Sequence, residues 1–533
     1  MPHDLSEFSS NTANSNTIDI SSRLLLVVAA TLSVLIFTAS LTGTIISTAT
    51  KSITSSLGVN NVSWVAQSFL IFSTCLQPAW GKVSDIFGCR PPMLIGIFSL
   101  FLFSLLAGFS SNMIMLIIAR GLMGVGASAS LAMVNIIISE IVPIRERGSY
   151  MGFISSANGL GQVLGPLLGG VISESLNWRW TMFINIPLVL FSGIPLYFYV
   201  KIKSPVGPLS QKFNSLDIKG IILLVLSITS FLLALNFGLK DSWSNSKTYF
   251  FMTFAFVLAL SFLIVELKTR REPIIDLKLF KYNNVSLNLF GATITGFVMY
   301  VGIFFIPEFF AAVYNVSLTS AGVKTWPWMV CVIISSIGCG AAITKFGLYR
   351  PYLWVGSLLL AVGFVLMYSQ DHKHNYLQQS FFIAIIGVGI GFRMPSSTIS
   401  AQAAVTRSEL AQTTALLNFF RNMGGIFGLS ISKAVQNSVF DSNINKIVQN
   451  FPKLESQIRE IISGNPSEIY AIDAGFVQDQ IIITYINSIR LVFLICTIIT
   501  IVGCIAVAFI EHIELENEDS TDLDKEDSYI NTH

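Results

Sequence analysis

Apolar residues arrive in this chain in blocks of about 20, separated by short polar gaps, along nearly its whole length, and about 20 residues is what a helix needs to cross a bilayer. That repetition leaves little choice of fold. Backbone polar groups in lipid must be satisfied internally, so each block is a membrane-spanning helix. The bulk numbers agree: 53% of the 533 residues are hydrophobic and 12% are charged, with mean hydropathy +0.68, whereas soluble domains carry roughly a quarter charged residues. A soluble enzyme with one anchor is excluded.

Scanning for spans gives approximate segments at 24–46, 62–82, 92–110, 113–140, 148–172, 180–200, 217–238, 248–267, 285–311, 322–345, 351–369, 379–405, 412–435 and 489–511. The expected fold is therefore all-α and polytopic, with about fourteen transmembrane helices. The fourth and twelfth segments are the weakest, because they contain Arg120 and Arg393. Lysines and arginines cluster after the even-numbered spans (Arg90; Arg145 and Arg147; Lys201, Lys203 and Lys212; Lys268, Arg270 and Arg271; Lys345 and Arg350), which predicts both termini in the cytoplasm.

Residues 1–22 lack the basic and apolar regions of a cleavable signal and read as a disordered tail, so the first span is expected to act as its own insertion signal. Residues 512–533 form an acidic cytoplasmic tail, either merely solvated or a sorting handle. The connection at about 436–488 falls on the non-cytoplasmic side, and FPKLESQIREII within it suggests short amphipathic helices.

A net charge of +2 supplies no basic surface for nucleic acid. The five histidines and six cysteines have no metal-ligand spacing, and no glycine-rich phosphate loop follows a strand, so neither a cofactor nor an enzymatic reaction is expected.

Three stretches carry more specific information. After the second span stands GKVSDIFGCR, residues 81–90. Its Gly81 and Gly88 permit a tight turn, while Asp85 and Arg90 can pair or face helix ends. In the fourth span, ARGLMGVG places Arg120 in an apolar run, where it either finds a partner in the protein interior or snorkels to the interface. The fifth span reads GLGQVLGPLLGG. Gly161, Gly165 and Gly169 let helices approach closely and Pro166 can bend the helix, which suits either a rocking surface or static packing.

These stretches, in this order, resemble the G-x-x-x-D-x-x-G-[RK]-[RK], R-x-x-x-G-x-G and G-P-x-x-G-G elements of the major facilitator superfamily. Cys89 departs from the first by replacing a basic residue. Trp178, Arg179, Trp180, Asn185 and Pro187 are similar to the entry to the sixth span in the superfamily's fourteen-span, drug:proton antiporter-like branch. Within it, WVAQSFL from Trp64, QPAWGKVSDIFG from Gln77, the Arg145–Gly148 turn and RNMGG from Arg421 look most like fungal vacuolar basic amino acid transporters. The resemblance implies a six-helix bundle at 23–204, two inserted helices at 205–270, a second six-helix bundle at 271–511, a monomer and alternating access around a central cavity.

Many relatives in that branch have an aspartate where this chain has Thr42, which cannot titrate. Glu308, in FFIPEFF of the ninth span, is then the leading proton-coupling candidate, since a carboxylate among aromatics is costly unless functional; the alternative is a position at the outer membrane surface. Arg421, at the cytoplasmic start of the thirteenth span, is expected to join Asp85 in a gate. Arg393 either lines a cavity in the second bundle or packs against helix ends.

The functional expectation is a proton-coupled vacuolar transporter of basic amino acids. The alternative is a multidrug exporter of the same fold at the plasma membrane, and the third reading is a non-transporting sensor. Cationic substrates call for cavity carboxylates, which this sequence has in short supply. Small solute, protons and the lipid bilayer are the only partners expected.

Overall fold

A computed structural model of the protein describes residues 22–58, 63–200, 216–240, 243–269, 273–316, 318–370, 375–450 and 475–515. The described residues are helical almost throughout. Eleven of the helices are long and apolar enough to cross a membrane. Three further spans are not among them: Ser63–Cys75 continued by Gln77–Phe87, which the break at Leu76 leaves as two short helices, and the glycine- and serine-rich Arg147–Ser175 and the polar Leu410–Asn450, which fall short by composition. With these, the fourteen spans expected from hydropathy are present among the described residues.

Several spans are broken where the sequence prescribes it. In the second, Pro78 stands in the first turn after Leu76, where its missing N–H interrupts the ladder and starts a new helix. The first pauses at Ile45, between Ser22–Thr44 and Ile46–Leu57. Pro166 lies inside the fifth span without ending it, and Thr48 Oγ1 of the first span donates to the Pro166 carbonyl at 2.7 Å.

Two spans outrun their expected bounds. The thirteenth continues to Asn450 and the fourteenth begins at Gly475, so the ends of the expected 436–488 loop are helical. Hydropathy marks only the lipid-embedded stretch of a helix, whereas backbone pairing carries it on into polar sequence. The FPKLESQIREII stretch, the tail from residue 516 and residues 1–21 lie outside the described residues.

Packing divides by sequence. One buried cluster runs from Val28 to Val200 through the first six spans. A second joins spans nine to fourteen around Phe305, Phe309, Phe364 and Phe493. The seventh span, Ile218–Lys240, packs on the second, on the thirteenth and above all on the eighth, Ser246–Lys268, which is the least buried of the eleven. Glu266 ties the connection after the eighth span to its helix end, accepting from the N–H groups of Ile274 and Ile275 at 3.1 and 3.3 Å. Large apolar side chains such as Phe98, Phe191, Phe250 and Phe256 stay exposed, as lipid-facing residues do.

The two six-helix groups meet along two seams. The fifth and tenth spans touch backbone to backbone, Gly148 against Gly340 and Gly152 against the Ser336 carbonyl. Ser149 N–H donates to Thr344 Oγ1 at 2.9 Å across this seam, and Ser156 Oγ to the Ile333 carbonyl at 3.2 Å. The second and thirteenth spans meet mainly through Gln77–Phe87, with Gly81 against Ala411 and Ala415. Gln402, 1% exposed, donates to Ser139 Oγ at 2.8 Å and so links the fourth and twelfth spans beneath the seams.

Candidate functional site

Between the seams lies a cavity with about 820 Å³ of empty space, its opening to solvent included. Both halves line it. The first and second spans contribute Ser40, Gly43, Phe69 and Gln77, the fourth and fifth Asn135, Asn158 and Gln162. The ninth contributes Tyr300 and Phe304, and the thirteenth Asn418, Arg421 and Asn422.

The wall mixes amides with aromatic faces. Asn158 Oδ1 accepts from Ser40 Oγ at 2.7 Å and from Gln162 Nε2 at 2.9 Å, which fixes that corner. Other polar atoms have no protein partner: both amide atoms of Gln77, Gln162 Oε1, Asn418 Nδ2 and Arg421 Nε. Unsatisfied buried donors and acceptors cost about 1–3 kcal/mol each. Clustered around one cavity, they are groups a bound molecule can use. None of these amides was singled out from sequence. The available signal was spacing: Asn158 with Gln162, and Asn418 with Arg421 and Asn422, repeat at one helical turn and so share a face.

Arg421 is the charged member of the lining. The sequence reading placed it at the opening of the thirteenth span, in a gate with Asp85. The helix begins at Leu410, however, which sets Arg421 about 16 Å along it at 1.5 Å per residue. Its Nη1 donates to Asn418 Oδ1 at 3.2 Å. Asp85 pairs instead with Lys82 at 3.7 Å. Arg421 and Asp85 are therefore not brought together, because Arg421 sits about three turns inside the span rather than at its opening.

The 81–90 turn is held differently from a simple charge pair. Gly88 takes φ 85°, a left-handed conformation that glycine adopts without strain. Arg90 reaches the end of the sixth span, where Nη2 donates to the Tyr197 carbonyl at 3.0 Å, a helix C-terminus that favours a cation. Cys89 Sγ donates to Glu140 Oε1 at 3.0 Å. Burial, reinforced by Glu140, pushes the Cys89 thiol well above its usual range, so it keeps the proton it donates.

Thr42 and Arg120 are neighbours, but inside the first bundle rather than on the cavity. Arg120 is fully buried, with Nη1 on the Thr42 carbonyl at 2.9 Å, Nε on the Val65 carbonyl at 3.3 Å and its guanidinium 4.5 Å from the Phe69 ring centre. The Thr42 hydroxyl bonds the Thr38 carbonyl at 2.6 Å and Asn185 Oδ1 at 3.0 Å. Arg393, also buried, donates to Ser357 Oγ and the Gly291 carbonyl, both at 2.9 Å, and ties the twelfth span to the eleventh and ninth. It does not line the cavity. Gly161, Gly165 and Gly169 pack against the first span, at Phe37, Thr44 and Ile45.

Glu308 is not the isolated acid the aromatic run suggests. Lys433 of the thirteenth span lies 3.7 Å away, and Gln436 Nε2 and Tyr485 OH each donate to Oε2 at 3.2 Å. Its side chain is 24% exposed. Lys433 meets Glu308 only when the ninth and thirteenth spans pack, so no local pattern links the two.

Two six-helix bundles, joined by an inserted helix pair, enclose a cavity lined from both, which is the architecture of a membrane transporter. The Major Facilitator Superfamily family model matches residues 32–429. The chain is 32% identical over 514 residues to the multidrug transporter protein MdtP of Bacillus subtilis, covering 91% of this chain and 93% of that one. It is 28% identical over 444 residues to the efflux pump dotC of Dothistroma septosporum, covering 83% and 76%. Among solved structures, the proton:xylose symporter XylE bound to 6-bromo-6-deoxy-D-glucose shares the fold at 13% identity, with TM-score 0.59 and coverage of 93% and 98%. The chain belongs to the major facilitator superfamily. These relatives bear multidrug and efflux names, so the likeness to vacuolar basic amino acid transporters read from short motifs is not what similarity along the whole chain favours.

Proposed function

We propose that this protein exports small amphipathic organic molecules from the cytoplasm across the plasma membrane, alternately opening its central cavity to either side. The observation that carries this reading is the wall of the cavity. Aromatic faces at Phe69, Tyr300 and Phe304 stand beside amides with spare hydrogen-bonding capacity at Gln77, Gln162 and Asn418. Such a surface accepts varied molecules that are part apolar and part polar. The names of the relatives point the same way, and a cavity lining without a carboxylate speaks against basic amino acids.

Expression in a host stripped of its own drug exporters tests this. Cells carrying the protein should accumulate less of at least one fluorescent amphiphile and tolerate more of a toxic one, while uptake of labelled lysine, arginine and histidine into vacuolar vesicles stays at background. Gradient-dependent amino acid uptake with no change in amphiphile accumulation is the outcome that sinks the proposal.

A further inference from the structure

We infer that the cavity selects organic anions: an acidic group docks on Arg421 while an apolar body lies against Phe69, Tyr300 and Phe304. This deepens the export reading and rests on it. Arg421 is 7% exposed and lines the cavity. Its one hydrogen-bond partner is the neutral Asn418, and its Nε has none.

A guanidinium in a low-dielectric site needs a counter-charge, and among the described residues no side chain supplies one. Among the described residues, no aspartate or glutamate lines the cavity. Glu308, the acid in the ninth span, is engaged with Lys433, Gln436 and Tyr485 and lies off the cavity. The buried Arg393 of the same bundle hydrogen-bonds only a hydroxyl and a carbonyl, so it adds positive potential without quenching Arg421. Asn418 Nδ2, also without a protein partner, supplies a second donor beside the guanidinium. A carboxylate, sulfonate or phenolate placed there would gain two kinds of donor and neutralise the charge. A cationic molecule would meet an uncompensated like charge.

Fluorescein and rhodamine 123 share a three-ring body and differ in charge, so they separate this inference from the export reading. Binding of each to the purified full-length protein, read by fluorescence anisotropy, should favour fluorescein. Arg421→Ala should weaken fluorescein by about tenfold or more, because a desolvated charge pair is lost, while Arg421→Lys keeps part of the affinity. Asn418→Asp, which keeps the local hydrogen bond and sets a carboxylate beside Arg421, should reverse the preference toward rhodamine. It carries the test if Arg421→Ala fails to fold. Fluorescein affinity within about twofold of wild type in both Arg421→Ala and Asn418→Asp would overturn the inference. So would export of rhodamine but not fluorescein, although that outcome leaves the export reading standing. A wild-type protein that binds and exports neither probe, nor any other amphiphile, removes both.

Discussion

Glu308 holds three partners drawn from two other spans, and that geometry defines what the side chain can do. Replacing it by Gln preserves an oxygen for Tyr485 and Gln436 while deleting the charge opposite Lys433. Because both members of the pair are partly exposed, the loss should cost only about 0–1 kcal/mol of stability. If protons drive the cycle through this group, export in proteoliposomes should lose its response to an imposed pH gradient in Glu308→Gln, with solute binding unchanged; a full response in the variant would remove Glu308 from coupling. Glu308 was legible in the sequence as an acid in an aromatic run, but Lys433 was not, since nothing local joins them. Arg421 was visible and misplaced at the opening of a span whose expected start, residue 412, already lay nine residues before it. Thr42 was rightly seen as unable to titrate, yet only packing reveals that its carbonyl serves Arg120.

Among the elements, the seam between the fifth and tenth spans depends on the absence of side chains. A Cβ on Gly340 would strike the Gly148 backbone, and one on Gly152 would meet the Ser336 carbonyl at 2.6 Å. Gly340→Leu should therefore act as a wedge: the protein folds, since each bundle keeps its own core, but the seam cannot close. Transport should fall to roughly a tenth or less at normal abundance, as expected when one of two states is excluded. A cysteine placed at Gln402, buried under the seams, should become reactive toward a water-soluble thiol reagent in that variant and stay protected without it. Glycine spacing made close approach foreseeable in the fifth span at Gly161, Gly165 and Gly169, which face the first span. The glycines at the seam itself, Gly148 and Gly152, precede that motif; Gly148 was noted only as part of the Arg145–Gly148 turn, and Gly152 not at all. Their importance comes from a partner helix that the fifth span's own pattern does not identify.

At the scale of the whole molecule, the fold was readable because the bilayer imposes its thickness on every span. The substrate was not, because the cavity forms where six spans converge, and the amides that four of them bring, the second, fourth, fifth and thirteenth, look unremarkable alone. The second, fifth and thirteenth spans, which are not unbroken apolar helices, all bring glycine, serine or amide side chains to the seams or the cavity. One further consequence follows from the uncompensated guanidinium of Arg421. A fixed charge deep in the bilayer feels the membrane voltage, at about 2.3 kcal/mol per elementary charge per 100 mV across the full field. An empty carrier that moves Arg421 through part of that field transfers current, whereas one loaded with a monovalent anion moves as a neutral unit. The return of the empty protein should then be the voltage-sensitive step. Under a potassium diffusion potential, turnover in proteoliposomes should change with the sign of the voltage in wild type and much less in Arg421→Gln. Turnover indifferent to voltage in wild type would mean that Arg421 stays fixed in the field. A side chain left without a counter-ion would in this way make the transport cycle an electrical one.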